Sequence, residues 1–452
     1  MKRVINLLII VSFMVLSMHR YSMAEQWEKV VEKGFGDPSN DYAWSMATFR
    51  GKLYVGTLNF LKGAEIWCSK SGELDTWERV YNARSSLSNI GVRSLYADDN
   101  RAVYACTYNT GGTEILRSVN GRKWTQVKKS RGSESQDNNT VRGMIRFGDY
   151  LYGGAGSNGA QLYRSKTGLN WKLVKTNPVG AFESTKVLDP NTGEMLTNNL
   201  LIGELAVFKD KLYAFTWTRD LDMRNLAGQN IKDISTLIPD SPGGFEVWRS
   251  SDGTNWEKVV GLDDPYGNGM GFSLHNSGSL ANDAVTSVAV FNDQLYLGTQ
   301  SNYGNSSIWR TENGTEWVEV LDFFSMGERF NFYVWRMIPF EGKLFIGTLN
   351  VALLNVPLAI AGVTGAQIWT SNSGDPGTFF NIIHNGFDGE TLTFKGREMP
   401  KNYGIRSFGI LHDTLFAGTA TIASFPIPKE DDPEHKTIAG KDVGCEIWKL
   451  VE

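Results

Sequence analysis

Arginine and tryptophan recur at one position of a repeated sequence pattern, and both residue types suit the binding of an anionic or flat ligand. The position is the second residue of a short apolar segment, and its occupants in chain order are Trp44, Arg93, Arg142, Gly203, Thr286, Trp335 and Arg406. Arg336 follows Trp335 directly. Guanidinium groups pair with carboxylates and sulfates, and indole faces suit sugar rings. The pattern predicts a pocket for an anion or acidic glycan; the alternative is that each Arg pairs with a carboxylate or carbonyl of a neighbouring segment.

One carboxylate, Glu204, adjoins this position and is therefore the candidate general acid or base. Asp41 follows Asn40 and Asp283 follows Asn282, and both carboxylates could approach Glu204 from the entrances of neighbouring repeats. A salt bridge between Glu204 and one of the arginines is the structural alternative. The histidines lack metal-ligand spacing, so no metal site is predicted, and the sequence identifies no cofactor.

These residues belong to seven internal repeats, which we number by an Asn that stands three residues ahead of each apolar segment. The markers are Asn40, Asn89, Asn138, Asn199, Asn282, Asn331 and Asn402. A second strand such as LYVGT (53–57) and a third such as EIWCS (65–69) follow in each repeat. A repeat of this kind predicts a modular architecture in which neighbouring units share a core. We expect the marker amides to tie down the turn into each first strand, with ligand coordination as the alternative.

A fourth strand beginning with Trp follows in most repeats, for example TWERV (76–80) and NWEKV (255–259). The seventh repeat ends at Glu452 after its third strand, and the sequence WEKVV recurs at residues 27–31. The N-terminal segment is thus predicted to supply the missing strand, which would leave no open sheet edge. We predict an all-β fold: one seven-bladed β-propeller of four-stranded blades over residues 25–452, its last blade closed by the N-terminal strand.

The turns before the fourth strands resemble the Asp-box of the sialidase-like propeller superfamily. The best copy runs from Ser250 through Asp252 and Gly253 to Trp256, and degraded copies begin at Ser118, Ser165 and Thr311. The resemblance implies the fold. Asp-boxes in that superfamily lie on the face away from the active site, so it implies no catalytic role for Asp252.

The chain begins with a predicted secretory signal peptide at residues 1–24, in which Lys2 and Arg3 precede an apolar run and small residues surround Ala24. A secreted or periplasmic protein without a lipid anchor or transmembrane segment is expected, as a monomer. The net charge of −4 gives no case for nucleic acid as a partner. The cysteines Cys68, Cys106 and Cys445 are expected to be buried thiols, with one disulfide between an unspecified two of them as the alternative.

Insertions into the repeat fall on two kinds of connection, which should open on the same face. They occupy 175–198, 261–281 and 384–401 between repeats, and 217–244, 349–365 and 420–444 between second and third strands. Loops on a rigid scaffold carry function, so this face is the predicted ligand face, with the Arg and Trp residues at its mouth. The apolar segment 351–363 is either a lid or a contact for a protein or lipid. Three functions stay open: recognition of an anionic carbohydrate, cleavage of a glycan by a hydrolase or lyase, and protein assembly.

Overall fold

The computed structural model has regular secondary structure that is almost entirely β-strand. One short 3-10 turn, Met270–Phe272, is the exception among the described residues. The described residues are 26–83, 89–109, 111–129, 138, 140–156, 159–183, 186–188, 195–197, 199–218, 244–272, 282–301, 306–328, 330–350, 364–394, 397–421 and 443–451. Within these ranges, no helix has the length and apolar character that a membrane crossing requires. The predicted signal peptide and the apolar segment 351–363 lie outside them.

Each repeat begins with a long antiparallel pair of strands. The first strands are β2 (Tyr42–Phe49), β6 (Asn89–Asp98), β10 (Thr140–Phe147), β16 (Leu201–Phe208), β20 (Ala284–Phe291), β24 (Asn331–Phe340) and β30 (Gly404–Leu411). The second strands are β3 (Lys52–Leu58), β7 (Ala102–Asn109), β11 (Tyr150–Gly156), β17 (Lys211–Trp217), β21 (Gln294–Gln300), β25 (Lys343–Asn350) and β31 (Thr414–Ala420). The second strands are almost wholly buried, as expected for strands with packed neighbours on both faces.

Shorter strands continue each sheet outward, each antiparallel to the one before it. The third strands are β4 (Glu65–Ser69), β8 (Glu114–Ser118), β12 (Gln161–Ser165), β18 (Val247–Ser250), β22 (Ser307–Thr311), β26 (Ile368–Ser371) and β32 (Ile447–Val451). The fourth strands are β5 (Glu78–Asn82), β9 (Thr125–Lys129), β13 (Lys172–Leu173), β19 (Glu257–Val260), β23 (Val318–Asp322) and β27 (Phe380–Ile383). The connections between repeats add two hairpins, β14 (Lys186–Leu188) with β15 (Met195–Thr197) and β28 (Thr391–Phe394) with β29 (Arg397–Pro400).

The fourth strands begin about two residues later than the sequence predicted. Trp256 was placed inside the strand, whereas β19 starts at Glu257. The physical reason is that Trp256 and Trp171 bury their indoles between repeats, so each belongs to the end of the turn rather than to the strand ladder.

The N-terminal strand β1 (Gln26–Val31) pairs with β32, from the opposite end of the chain. Val30 and Val31 are buried in the joint. Beside them, Lys29 Nζ lies 3.0 Å from a carboxylate oxygen of the fully buried Glu446 and 2.7 Å from Asp388. Lys401 also contacts Glu446, at 2.7 Å. Asp388, Glu390 and Glu446 are spaced as metal ligands would be, but the two lysines already balance most of their charge.

A hydrogen-bonded unit explains the marker asparagines. In six repeats the marker amide donates to a Glu or Gln that opens or directly precedes the third strand. The pairs are Asn40–Glu65, Asn89–Glu114, Asn138–Gln161, Asn199–Glu246, Asn331–Gln367 and Asn402–Glu446. In several repeats an indole N–H from the third strand reaches the same acceptor, as Trp248 does with Glu246. The marker amides therefore hold the first strand to the third rather than serving only the entry turn. Their donors are used within the fold, which favours the structural role.

The Asp-box turns fasten neighbouring repeats together. In the turn of repeat four, Ser250 Oγ accepts from the Gly253 amide at 2.8 Å, and Asp252 accepts from the amides of Thr254 and Asn255. These amides lower the pKa of Asp252 to about 2. Gly253 has φ +72°, and a Cβ there would overlap the hydroxyl of Tyr152 in the preceding repeat. The turn thus requires glycine for both its backbone and its contact.

We expect Gly253→Ala to destabilise the protein more than Gly386→Ala. Both glycines have φ +72°, but nothing lies within 4 Å of a Cβ on Gly386. The left-handed backbone costs about 1–2 kcal/mol in each variant, and the overlap with Tyr152 adds roughly 1–3 kcal/mol at Gly253 alone. Urea denaturation of the two variants measures the difference. Equal losses would show that the Tyr152 contact does not hold the repeats together.

Candidate functional site

Every first strand carries a β-bulge at the position that the sequence singled out. At this position the pairing with the second strand skips one residue in each repeat, and the residues skipped there are Trp44, Arg93, Arg142, Gly203, Thr286, Trp335 and Arg406. A bulge leaves one residue outside the ladder and re-aims its side chain. The bulges therefore explain how seven separate strands can direct side chains away from their sheets at one level.

Six of the seven bulge residues line one cavity between the first strands. Trp44, Arg93, Arg142, Thr286, Trp335 and Arg406 are joined there by Glu204, Arg336 and Trp217. The cavity volume is about 30 Å³. That is room for about two water molecules or one small polar group. The structure thus brings together all seven of the site residues predicted from the sequence.

Three arginines of the cavity lie over indole rings. The Arg93 guanidinium carbon is 4.6 Å from the Trp44 ring centre, and that of Arg406 is 5.0 Å from Trp335 and 5.9 Å from Trp44. Arg142 lies 3.6 Å from Trp217. Stacking of this kind holds a guanidinium in place while leaving its edge N–H groups available to an acceptor.

Trp217 is the cavity residue that sequence reasoning missed. It is the last residue of β17, and its indole N–H donates to the Val285 carbonyl of the next repeat. A Cβ on Gly203 would overlap this indole. The sequence feature that could have revealed Trp217 is Gly203 itself. Repeat four has no side chain at the bulge because the Trp217 indole fills that space.

Glu204 and Arg336 form a salt bridge across the intervening repeat. The distance from Arg336 Nη1 to Glu204 Oε1 is 3.0 Å. Both residues directly follow a bulge, a position that is serine in repeats one, two, five and seven. There Ser45 donates to the Val92 carbonyl and Ser407 to that of Ala43, which ties neighbouring first strands together. In repeats four and six a charged pair replaces these hydroxyls. Glu204 thus forms a salt bridge with an arginine, which was the structural alternative to a role as general acid or base.

Among the described residues that line the cavity, positive groups outnumber negative ones. Four arginines and one carboxylate give this described lining a formal charge of +3. Burial, aided by Arg142 and Arg336, lowers the pKa of Arg406 to about 9. Burial also raises the pKa of Glu204, against the opposing effect of the surrounding arginines. An anion entering the cavity would relieve the repulsion among the arginines.

A buried aromatic cluster adjoins the cavity. Its rings are those of Tyr42, Trp44, Tyr108, Trp217, Tyr333, Trp335 and Tyr403. The tyrosines Tyr42 and Tyr403 stand near the marker Asn residues, and their hydroxyl groups are hydrogen-bonded to each other. The Trp335 ring contacts Tyr42 of repeat one at 5.7 Å between centroids, so the cluster extends across repeats that are not sequence neighbours. The arginines of the cavity therefore lie beside a buried aromatic cluster, with which the cavity shares Trp44, Trp217 and Trp335.

The burial of the tryptophans changes their expected role. Trp44 is 2% exposed and Trp335 is 7% exposed. Because other rings and guanidinium groups pack against them, they support the arginines instead of offering a face to a sugar. Arg336 is the accessible end of the cavity, with a side chain that is 43% exposed.

Other candidates from the sequence lie elsewhere. Asp41 and Asp283 are buried but do not line the cavity, so Glu204 gains no second carboxylate from them. All three cysteines are buried and free, as expected for buried thiols. The described histidines, His384 and His412, are also outside the cavity lining.

Comparisons with known proteins bear on architecture alone. No family model matches the chain, and no curated protein matches it. Among solved structures, the WD40 domain of Neurospora crassa Pan2 is similar at a TM-score of 0.44 and 11% identity, covering 95% of this chain and 97% of that one. The computationally designed Ika8 protein gives 0.41 and 11%, covering 94% and 100%. A luciferin-regenerating enzyme gives 0.41 and 10%, covering 79% and 89%. Similarity at this level does not indicate a function.

Proposed function

We propose that this chain is an exported seven-bladed β-propeller that binds the carboxylate or sulfate group of an anionic ligand between its first strands. The pairing of β1 with β32 supports the closure of the last blade by the N-terminal strand. The antiparallel succession of strands in each repeat supports four strands to a blade. The signal peptide predicted at residues 1–24 supports export.

The observation that carries the ligand proposal is a pair of buried donors in the cavity. Trp44 Nε1 and Arg406 Nε are both buried, and neither has a hydrogen-bond partner among the described residues. A buried donor without an acceptor costs about 1–3 kcal/mol, more when it is charged. An oxyanion supplies acceptors for both donors and compensates the excess positive charge at the same time.

The small volume limits how the ligand enters. About 30 Å³ holds a carboxylate or one face of a sulfate group, but not a sugar ring. The rest of the ligand must therefore lie outside, toward the exposed side of Arg336. An acidic carbohydrate fits this requirement because its charged group projects from the ring.

Glycan cleavage is less well supported by the geometry. Hydrolysis by most glycosidases requires two carboxyl groups, roughly 5–10 Å apart, on either side of the scissile bond. Glu204 is the only carboxylate of the described cavity lining, and Arg336 holds it in a salt bridge. The assembly function rested on segment 351–363, which lies outside the described residues.

Calorimetry and thermal unfolding with a series of anions test the proposal. In a buffer with little chloride, sulfate, glucuronate and a uronic-acid oligosaccharide should bind and raise the melting temperature, whereas glucose should not. The variant Arg122→Gln is a matched control, because Arg122 is an exposed arginine paired with Glu78 outside the cavity. Equal responses to glucose and glucuronate, or binding that Arg122→Gln also removes, would contradict the proposal.

Glu204→Gln should strengthen anion binding at neutral pH. The carboxylate opposes an incoming anion and occupies Arg336, and the amide removes that charge while keeping the shape. Because the pKa of Glu204 is raised, the wild-type protein should bind anions more tightly as the pH falls and this carboxyl takes up a proton. The variant should bind equally well over the same pH range. Calorimetry at several pH values measures both effects; weaker binding by the variant would indicate that Glu204 contacts the ligand directly.

A further inference from the structure

The first strands differ in exposure on the two sides of their bulges. The residue two positions before the bulge is buried in every repeat, at Tyr42, Gly91, Thr140, Leu201, Ala284, Tyr333 and Gly404. The residue four positions after the bulge is partly or fully exposed in every repeat, and we call this set the outer layer: Thr48, Ala97, Arg146, Val207, Val290, Pro339 and Ile410. At these matched positions, solvent access lies toward the C-terminal ends of the first strands.

The arginine cavity extends toward the same end. Every first-strand residue in its described lining is a bulge residue or follows one, and Met46 and Leu95 are the two that lie furthest along. Thr48 and Ala97 of the outer layer come two positions later and therefore point to the same side of their strands. The outer layer is about 13 Å beyond the bulges at the rise of an extended strand.

Contacts between neighbouring first strands hold the outer layer at one level. Each first strand contacts the first strands of the repeats before and after it, including β2 with β30. Close to the bulges, Ser45 donates to the Val92 carbonyl at 2.8 Å. Further along, the Thr48 hydroxyl donates to the carbonyl of Ile410, which has the same position in repeat seven. Neighbouring first strands thus run side by side in one direction, and the outer layer follows the cavity.

The outer layer is mainly apolar. Five of its seven residues have no polar side-chain atom: Ala97, Val207, Val290, Pro339 and Ile410. Val290 is the most accessible of these apolar residues, at 44% exposed. The one charged side chain, Arg146, contacts both oxygens of Asp98, at 2.6 and 2.7 Å, and Thr48 uses its hydroxyl in the bond to Ile410. The layer therefore offers a ligand apolar contacts next to a cavity with a cationic lining.

We propose that the ligand is an amphiphile, with its anionic head among the arginines and an unbranched apolar chain along the outer layer. This inference rests on the proposed function and narrows the class of ligand. Single exposed apolar residues are common, but five at one repeated position beside four arginines match both ends of such a molecule. An acidic sugar would instead place hydroxyl groups against Val290 and Ile410, whose side chains offer no hydrogen bond.

The site would then open at the end of the fold opposite to the insertions. Each first strand is antiparallel to its second strand, so that Phe49 pairs with Lys52 at a short turn and Tyr42 pairs with Leu58 at the other end. The insertions follow second strands or precede first strands, which places them at the end of Tyr42. In this proposal the ligand chain leaves the protein beside the short turns.

Calorimetry with straight-chain carboxylates below their micelle concentrations tests the proposal on the wild-type protein. From acetate through hexanoate to decanoate, the affinity should rise roughly two- to fourfold per methylene, whereas glucuronate should bind no more tightly than acetate. Val290→Asn should weaken decanoate binding at least fivefold and leave acetate binding unchanged. Val318→Asn is the matched control, since Val318 is 55% exposed on a fourth strand, and it should bind both as the wild type does. Melting curves check that both variants fold.

The outcomes separate this inference from the proposed function. Equal affinity for acetate and decanoate would overturn the inference while leaving the anion site in place. Tighter binding of glucuronate than of decanoate would do the same, as would a gain with chain length that Val290→Asn does not reduce. If neither acetate nor sulfate binds, the proposed function fails and the inference fails with it.

Discussion

Deleting residues 25–32 should lower the melting temperature more than any point substitution proposed above. The deletion removes β1 and with it the burial of Val30, Val31 and the half-buried Trp27, each contributing roughly 1.5–3 kcal/mol. It also leaves Glu446 and Asp388 without Lys29, and exposes the edge of β32. The combined loss is a large part of the 5–15 kcal/mol by which domains are stable.

A synthetic peptide of residues 25–33 should restore much of this stability when added to the shortened protein, because β1 joins the fold through pairing with β32 alone. The variant Glu28→Ala, which changes an exposed residue of the same strand, should melt close to the wild type. Calorimetric scans compare the forms. A shortened protein that melts like the wild type would show that β1 does not complete the last repeat.

Arg406→Met should weaken anion binding strongly and stabilise the ligand-free protein. Removing a charged donor of the ligand costs about 1.5–3 kcal/mol, which is a loss in affinity of roughly 10- to 150-fold. The stabilisation has a different origin: the folded protein disfavours the charged form of Arg406, whose pKa is lowered to about 9. The unfolded chain binds this proton more tightly, so the wild type bears the cost fully at neutral pH and loses it as the pH rises above 9.

Two measurements separate these effects. Calorimetry with sulfate reports the lost affinity, and thermal unfolding in a sulfate-free buffer reports the change in stability. Arg406→Lys should keep much of the repulsion but lose the forked hydrogen bonds, so it should bind weakly without the gain in melting temperature. A lower melting temperature for Arg406→Met at neutral pH would mean that Arg406 supports the fold and that no ligand is needed to satisfy it.

The sequence located the candidate site through the repeat, because equivalent positions in equivalent strands must lie at one level. It therefore identified Arg93, Arg142 and Arg406 as a set, and the structure shows them around one cavity. It did not show that each of these positions is a bulge, since bulges depend on pairing with the second strand rather than on local composition. It also missed Trp217, whose role follows from the space above Gly203.

The burial of the aromatic residues beside the site could not be derived from the repeat alone. Tyr42 begins a strand and Tyr403 directly precedes one, positions that often face solvent, and only the closeness of non-neighbouring repeats buries them in one cluster. The partner of Glu204 could not be derived from the repeat either. Glu204 stands where four other repeats have serine, which marks a departure from the pattern, but its partner, Arg336, is 132 residues away along the chain.

The pairing of β1 with β32 has a consequence for the order of folding. The first strand made during synthesis cannot find its partner until the last has been made, because Gln26 pairs with Val451. Six repeats can form from local hairpins, but the seventh must wait for contact between the two ends of the chain, which makes it a slow step of high contact order. Until then β32 presents a bare edge to other nascent chains. A protein of this design would benefit from a holding chaperone for as long as its two ends stay apart, and its vulnerability to aggregation should end abruptly at closure.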